Sequence, residues 1–482
     1  MIKNYFKIAV RNLVKNKLYT SVNIIGLTIG ITSCILIGIY IIDELSFDRF
    51  HKNSDRIARV TMDYQSGNSP SEIASTGTKV GPQFKRTFPE VEAYVRTLKY
   101  SQVVGFGDKV FEEKNFLYAD SAFFKMFSFH LLSGDATTAL NSPDKIVLTQ
   151  SAAKKYFGTE DPIGKTVKVG DSKEFIVSGV AADAQGNSQI KFDFVASFNT
   201  LNAAKTENWW EANYITYLLL NNKESLQPLQ KRISSYMQQV SRKELQMEGS
   251  NYLTYHLEPL TKVHLYSKLD GFEPNNNIVY IWILAAVAFL IMLIACVNYT
   301  NLSTAQSATR SAEIGVRKVL GANKSQLFNQ FISESFIFTV LAVVLGILLS
   351  LLLLPHFNQL SGKSLTIELL FKPQTMLSLL ILTVVVSIFA GGYPAIVLSN
   401  VKIINILKSG FSFTSSGGGL RKSLIVLQFV ISLFLITATI VILKQLSYIK
   451  HKDLGYNKEQ VVVLPLDRKM RDQYDDLKKS NC

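Results

Sequence analysis

The chain has 482 residues, of which 48% are hydrophobic, and a formal net charge of +14. Its length would suit two to four ordinary domains. Five apolar runs contain no Asp, Glu, Lys, Arg or His. Because one charge at the centre of a membrane helix costs roughly 2.5–3.5 kcal/mol, these runs favour membrane spans over the alternative of buried core helices in a large soluble protein.

Each of the five runs is long enough, as a helix rising about 1.5 Å per residue, to cross a hydrocarbon layer of about 30 Å. The sequence therefore predicts five membrane spans. The runs are Ile24–Ile42, Ile278–Val297, Phe336–Leu354, Met376–Leu398 and Leu424–Leu443.

The basic residues predict the orientation of the spans. Most of the positive charge lies before the first run, between the second and third runs, and between the fourth and fifth. Basic loops stay on the cytoplasmic side, so we expect a cytoplasmic N-terminus and an outer domain over residues 44–277. This placement accounts for the basic balance and disfavours nucleic-acid binding.

Residues 1–20 read as an amphipathic helix on the inner membrane surface, with Lys3, Lys7, Arg11 and Lys15 spaced four apart. A merely basic tail is the alternative. The first run is too long for a signal-peptide core, and Asp43-Glu44 follows it in place of a small-residue cleavage site, so we interpret it as a retained anchor.

The outer domain mixes helical and strand patterns and contains no cysteine, so its own core must hold it together. We predict an α+β fold, divided into two subdomains because one core rarely covers 230 residues. Strand patterns occur at Lys145–Gln150 and in a hairpin around Gly170, and Ser151–Phe157 and Ser225–Arg242 look helical.

Three features of this domain could carry chemistry. The stretch GTEDPIGKT at residues 158–166 resembles a phosphate-binding loop, but five residues separate its glycines where four are needed, so we predict a tight turn. The six histidines of the chain, four of them in this domain, show no metal-ligand spacing. The aromatic group Trp209, Trp210, Tyr214 and Tyr217 could contact a ligand or belong to the core.

The charged decapeptide EIGVRKVLGA, residues 313–322, separates the second and third runs. Glu313 and Arg317 have the i,i+4 spacing that stabilises a helix, Gly321 suits a left-handed helix end, and Asn323 with Gln326 forms a capping-box pattern. The residues alone fit either a stiff lever between two spans or an ordinary basic loop.

After the fourth span, the order of basic residues, span and strand pattern repeats the opening of the chain and then stops. We therefore expect residues 444–482 to begin a second outer domain that is truncated here.

The decapeptide, directly after one span and before a hairpin of two more, resembles the signature of FtsX/MacB-type permeases of ABC transporters. The stretches FFKMFSFHLLSGD at 123–135, IVLTQSAAKKYFGTEDPIGKT at 146–166 and LEPLTKVHLYS at 257–267 resemble the MacB-like periplasmic core domain of the same family. The opening residues are similar to long, duplicated family members.

This resemblance implies a permease of the bacterial inner membrane that is not itself an enzyme and binds no cofactor or metal. A separate cytoplasmic ABC ATPase would bind ATP and dock on a coupling element, and its motion would reach the periplasmic domain without cargo crossing the bilayer. The resemblance also allows for a periplasmic or outer-membrane partner. The coupling residues are Glu313, Ile314, Gly315, Val316, Arg317, Lys318, Val319, Leu320, Gly321 and Ala322.

The family's possible tasks include efflux of peptides or antimicrobials, lipoprotein release and regulation of wall hydrolases. The alternative is a transmembrane sensor that reports a periplasmic ligand to a cytoplasmic partner. A secondary transporter is disfavoured by spans without ionisable residues. The expected spans are 21–43, 278–299, 336–354, 376–398 and 424–443. The other expected segments are the amphipathic helix 1–20, the periplasmic core domain 44–277, the cytoplasmic coupling segment 300–335, the cytoplasmic linker 399–423 and the start of the second outer domain 444–482.

Overall fold

The fold is that of a computed structural model, which describes residues 11, 17–67, 69–170, 173–399 and 418–452. The predicted N-terminal amphipathic helix and the expected start of a second outer domain lie almost wholly outside these residues. The chain divides into two units, Met1–Ser412 and Phe413–Cys482.

The five predicted spans are confirmed as helices that are long and apolar enough to cross a membrane. Their spanning parts are Lys17–Leu45, Ile278–Gln306, Lys324–Ser361, Pro373–Ile396 and Arg421–His451. The full helices in the first unit are α1 (Lys17–Leu45), α7 (Ile278–Val319), α8 (Lys324–Ser361) and α10 (Pro373–Ser399), and the second unit contains α11 (Gly418–His451).

The large domain between α1 and α7 combines helices with a mixed, mostly antiparallel sheet, which confirms the predicted α+β fold. Its helices are α2 (Val80–Thr87), α3 (Phe123–Met126), α4 (Gln150–Phe157), α5 (Leu226–Lys243) and α6 (Leu260–Tyr266), and α9 (Glu368–Phe371) lies later, between α8 and α10. Its strands are β1 (Ile57–Gln65), β2 (Pro70–Ile73), β3 (Val91–Phe106), β4 (Lys109–Ala119), β5 (Leu131–Ser133), β6 (Lys145–Thr149), β7 (Thr166–Val169), β8 (Lys173–Ala181), β9 (Phe194–Ser197), β10 (Ile215–Leu220) and β11 (Tyr252–Pro259).

One sheet of 11 strands runs through this domain in the order β11-β1-β10-β3-β4-β9-β6-β8-β5, with β2 beside β1 and β7 beside β3 and β8. Two pairs, β4 with β9 and β6 with β8, are parallel, and the others are antiparallel. Three hydrophobic cores lie on this shared sheet, which does not divide into the two predicted subdomains. Continuous strand pairing, which local patterns do not reveal, joins them.

The cores explain where the aromatic residues of the domain lie. Phe123, Phe129 and Phe192 pack in one core. The rings of Phe123 and Phe129 are stacked with centres 5.5 Å apart, and the ring of Phe192 lies edge-on to both. Helix α5 is amphipathic and buries Leu229, Ile233 and other apolar side chains against the sheet in another core. Burial on this scale supplies the main stabilisation of a domain that has no disulfide.

The membrane helices of the first unit pack around a further apolar core. Ile31 of α1, Met292 of α7, Phe338 of α8 and Val386 of α10 all contribute buried side chains to it. Because lipid is as apolar as these residues, close packing rather than exclusion of water holds such helices together. The arrangement fixes the helix ends that carry the candidate site.

Candidate functional site

The predicted coupling element forms the end of α7 and the turn that follows it. The i,i+4 spacing of Glu313 and Arg317 predicts a helix here, and the structure shows residues 313–319 as the last turns of the unbroken 42-residue helix Ile278–Val319. No proline interrupts the stretch after the span, so the helical hydrogen bonds continue through it. The element is therefore rigidly continuous with the second span.

The end of α7 is a Schellman motif, as Gly321 predicted. The Ala322 amide donates to the Arg317 carbonyl at 3.0 Å, and the Gly321 amide donates to the Lys318 carbonyl at 3.1 Å. Gly321 has a backbone φ of +95°, a conformation that residues with a Cβ adopt only with strain. The predicted capping box of Asn323 and Gln326 is also present and starts α8.

The two basic residues of the element anchor it to neighbouring helices. Arg317 Nη1 donates to Gln330 Oε1 of α8 at 2.6 Å, and Lys318 Nζ donates to the Ser399 carbonyl of α10 at 2.7 Å. Burial, together with repulsion from Lys324, holds the pKa of the Lys318 ammonium below its ordinary value. A cation at the carbonyl end of α10 also has a favourable interaction with the helix dipole.

The apolar face of the element points away from these anchors. Val316 is 61% exposed, Val319 65% and Leu320 81%. We call these three residues the apolar tip. The side chains of residues 307–314 lie outside the described set, so the predicted pairing of Glu313 with Arg317 stays a prediction.

The sequence did not indicate the buried polar residues at the start of α8, one of which, Gln330, binds the element. Gln330 and Glu334, one turn apart, are both only 6% exposed, and the hydroxyl of Ser335 lies 3.0 Å from that of Tyr299 on α7. These residues precede the apolar run that identified the third span. Their four-residue spacing next to the decapeptide was the available signal for one helical face.

The other candidate features of the sequence have structural roles. The Lys165 amide donates to the Pro162 carbonyl at 3.1 Å, and Gly164 has φ +78°, so the segment resembling a phosphate-binding loop contains the predicted tight turn. Trp209, Tyr214 and Tyr217 are buried in the cores, while Trp210 is half-exposed. Among the described residues, no three His, Cys, Asp or Glu side chains are grouped as metal ligands.

Two family models match the chain, and together they cover more than half of it. The model of the MacB-like periplasmic core domain matches residues 20–236, and that of the FtsX-like permease C-terminal region matches residues 285–403. The second match includes the whole coupling element.

Curated relatives agree with these matches. A macrolide export ATP-binding/permease protein MacB from Aggregatibacter actinomycetemcomitans is 24% identical over 364 residues, covering 72% of this chain and 52% of its own length. The protein of the same name from Pasteurella multocida is 22% identical over 400 residues, covering 81% of this chain and 58% of its own. The chain thus spans about half the length of these relatives.

Solved structures similar to this chain include a domain of a permease protein from Porphyromonas gingivalis. It is 25% identical with a TM-score of 0.40, and the match covers 47% of this chain and 95% of that domain. The periplasmic region of MacB from Actinobacillus actinomycetemcomitans is 16% identical with a TM-score of 0.31, covering 42% and 90%. On the two family matches and the five helices, this multi-pass membrane protein belongs to the FtsX/MacB-type permeases of ABC transporters.

Proposed function

We propose that the chain is a permease subunit that transmits the ATP-driven motion of a separate ABC ATPase to its large domain. The coupling element Glu313–Ala322 would be the docking site, on the cytoplasmic side of a bacterial inner membrane. The large domain would then lie in the periplasm. The names of the curated relatives combine ATP binding with permease function, which supports an ATPase as the partner.

The observation that carries this proposal is the position of the apolar tip. The spanning part of α7 ends at Gln306, and the helix continues to Val319, about 20 Å further at 1.5 Å per residue. Val316, Val319 and Leu320 therefore lie beyond the hydrocarbon layer, where lipid does not cover them. Adjacent exposed apolar side chains in water are typical of a protein-binding surface.

The anchoring of the tip suits the transmission of force. Arg317 and Lys318 bind α8 and α10 through hydrogen bonds, so a push on the tip acts on three helices together. Nearby, Leu327 and Phe331 of α8 pack with Ala395 of α10 in a small apolar core. A flexible loop would absorb a displacement that this braced helix end passes on.

We further propose that the large domain performs a task that uses this transmitted motion. The curated relatives are named for macrolide export. Efflux of peptides or antimicrobials, lipoprotein release and regulation of wall hydrolases would each use the same transmission. The apolar runs of the spans contain no ionisable residue, which favours work done by the moving domain over passage through the bundle.

The test is co-purification of the tagged, full-length chain with an ABC ATPase from its native membranes, with the ATPase identified by peptides of its phosphate-binding loop. In Leu320→Glu we expect recovery of the ATPase to fall at least tenfold. Burying one leucine contributes about 1.5–3 kcal/mol, and about 1.4 kcal/mol corresponds to a factor of ten in affinity.

Leu360→Glu is the matched control, because Leu360 is 88% exposed at the opposite, domain-side end of α8. It should recover as much ATPase as the wild type. The proposal is wrong when no ABC ATPase accompanies the wild-type chain, or when the two glutamate variants recover it equally.

A further inference from the structure

Helix α8 connects the coupling element to the large domain. Its first turns bind the element through Gln330, and its 38 residues extend about 57 Å to the opposite ends of the membrane helices. The helices α1 and α7 enter and leave the large domain and therefore connect it directly to the membrane. The contacts at the far end of α8 identify a further route.

The chain just after α8 is held in a fixed conformation. The Lys363 amide donates to the Asn358 carbonyl at 3.2 Å. The Asn358 side chain then accepts from the Leu365 amide at 3.1 Å and donates to the Leu365 carbonyl at 2.9 Å. These three bonds tie the turn to the last turns of α8, so Lys363 moves with the helix.

The Lys363 ammonium binds the end of α1. Its Nζ lies 2.8 Å from Asp43 Oδ2 and 2.6 Å from Glu44 Oε1, with Glu44 only 2% exposed and Lys363 17%. The ammonium also lies 4.8 Å from the centre of the Phe47 ring. Burial alone lowers the pKa of Lys363, but the hydrogen bonds to Asp43 and Glu44 outweigh it and raise the pKa, so the amine is charged at neutral pH.

Glu44 in turn binds two residues at the end of the large domain. Its Oε2 lies 2.8 Å from His264 Nε2 of α6 and accepts from Asn276 Nδ2 at 2.8 Å. The imidazole of His264 stacks on Phe47, with ring centres 3.5 Å apart and planes 6° apart. One carboxylate therefore joins α1, the turn after α8 and the domain.

A cavity of about 310 Å³ lies beside this cluster, and a ligand site is the other interpretation of it. The charges on its wall argue against one. Asp43 and Glu44 bind Lys363, and Glu273 binds Lys191 at 3.4 Å, so each of these charges already has an opposite charge within the chain. A charged ligand would have to break a buried pair, which is costly.

We propose that Lys363, Glu44 and His264 form a polar latch by which the third membrane helix holds the large domain. Displacement of the coupling element then reaches the domain along α8 as well as along α1 and α7. This inference rests on the proposed function for the source of motion, whereas the latch as a mechanical joint can be tested without nucleotide.

The experiment uses the full chain with its co-purified ATPase in lipid nanodiscs. Spin labels are placed at Glu224→Cys in the domain and Lys372→Cys after α8, both exposed positions, with the native cysteines replaced. Electron–electron resonance gives the distance between the labels with and without trapped Mg-ATP. Lys363→Met removes the charge and keeps the length of the side chain, and Glu44→Gln weakens the latch from its other side.

In the absence of nucleotide, we expect Lys363→Met to broaden the distance distribution at least twofold. With ATP it should reduce the nucleotide-driven shift by at least half while ATPase recovery stays unchanged. Lys363→Arg should restore both readouts, and Lys262→Met, an exposed lysine on α6, should match the wild type. If Lys363→Met does not reach the membrane, Glu44→Gln is measured in its place.

The two proposals fail in different ways. The latch is overturned if Lys363→Met, or Glu44→Gln, gives the same distance distributions and the same nucleotide-driven shifts as the wild type. A wild-type chain that shows no shift with ATP, or recovers no ATPase, overturns the proposed function, and a broadened resting distribution in Lys363→Met then still supports the joint.

Discussion

Two neighbouring glycines of α10, Gly391 and Gly392, should respond in opposite ways to the same substitution. A Cβ added at Gly391 would lie 2.2 Å from Ser335 Oγ and 2.5 Å from Ser335 Cβ of α8, while one added at Gly392 meets nothing within 4 Å. Ser335 is buried and its hydroxyl is within hydrogen-bond distance of Tyr299, so it has no open space to move into. Gly391 therefore permits the close approach of α8 and α10.

The magnitudes follow from two opposing effects. Replacing glycine by alanine inside a helix contributes roughly 0.8–1 kcal/mol of stability, and this gain applies to both sites. At Gly391 the added methyl also overpacks the interface, which costs about 1–3 kcal/mol. We expect Gly392→Ala to be as stable as the wild type or more so, and Gly391→Ala to be less stable than Gly392→Ala by about 1–3 kcal/mol.

The native thiols provide the assay. Cys296 of α7 is 9% exposed and Cys34 of α1 is partly buried, so a maleimide dye reaches both fully only when the bundle opens. Cys482→Ser removes the third thiol, and melting midpoints are compared at one scan rate in the same detergent because unfolding of such proteins is often irreversible. Equal midpoints for the two alanine variants would refute the close contact between α8 and α10.

Two further substitutions test the domain and the site. Asp120→Asn should lower the unfolding free energy of the domain by about 3 kcal/mol, because the Asp120 carboxylate accepts hydrogen bonds of 2.8 and 2.9 Å from Arg96 and both side chains are largely buried. Chemical denaturation of the full chain measures this change, with the exposed Asp108→Asn as control. Equal midpoints for the two variants would contradict the prediction. Gly321→Ala should lower the stability of the helix bundle by about 1–2 kcal/mol, because Gly321 has a left-handed backbone conformation. It should lower the melting midpoint in the thiol-dye assay more than Gly321→Asn does, since asparagine tolerates this conformation better. Equal midpoints would show that alanine is not strained in this turn.

Features that depend on neighbouring residues were predictable from the sequence. The five spans follow from uninterrupted apolar runs, and the Schellman turn and capping box follow from Gly321, Asn323 and Gln326. Within the large domain, the strand Lys145–Thr149 and the helix Gln150–Phe157 match the predicted strand Lys145–Gln150 and helix Ser151–Phe157 to within one residue. In each case a few successive residues determine the backbone conformation.

Features that join distant parts of the chain were not predictable in this way. Glu44 and Lys363 are more than 300 residues apart, and His264 lies 220 residues beyond Glu44, so spacing gives no indication that the three meet. The continuity of the sheet was not predictable for the same reason, since β4 pairs in parallel with β9 across some 75 residues. Such contacts depend on topology, which one sequence specifies only through the whole fold.

The basic residues of the coupling element show how one property can serve two purposes. From sequence, Arg317 and Lys318 contribute to the positive charge that predicts orientation, and reversal of their charge would be the obvious test of partner binding. In the structure both side chains bind neighbouring helices, so charge reversal would disturb topology and helix packing as well as any docking surface. Leu320 is 81% exposed and follows the spanning part of α7, so replacing it changes the candidate surface while leaving those anchors in place. The apolar tip is therefore the place where loss of a partner can be separated from loss of the fold.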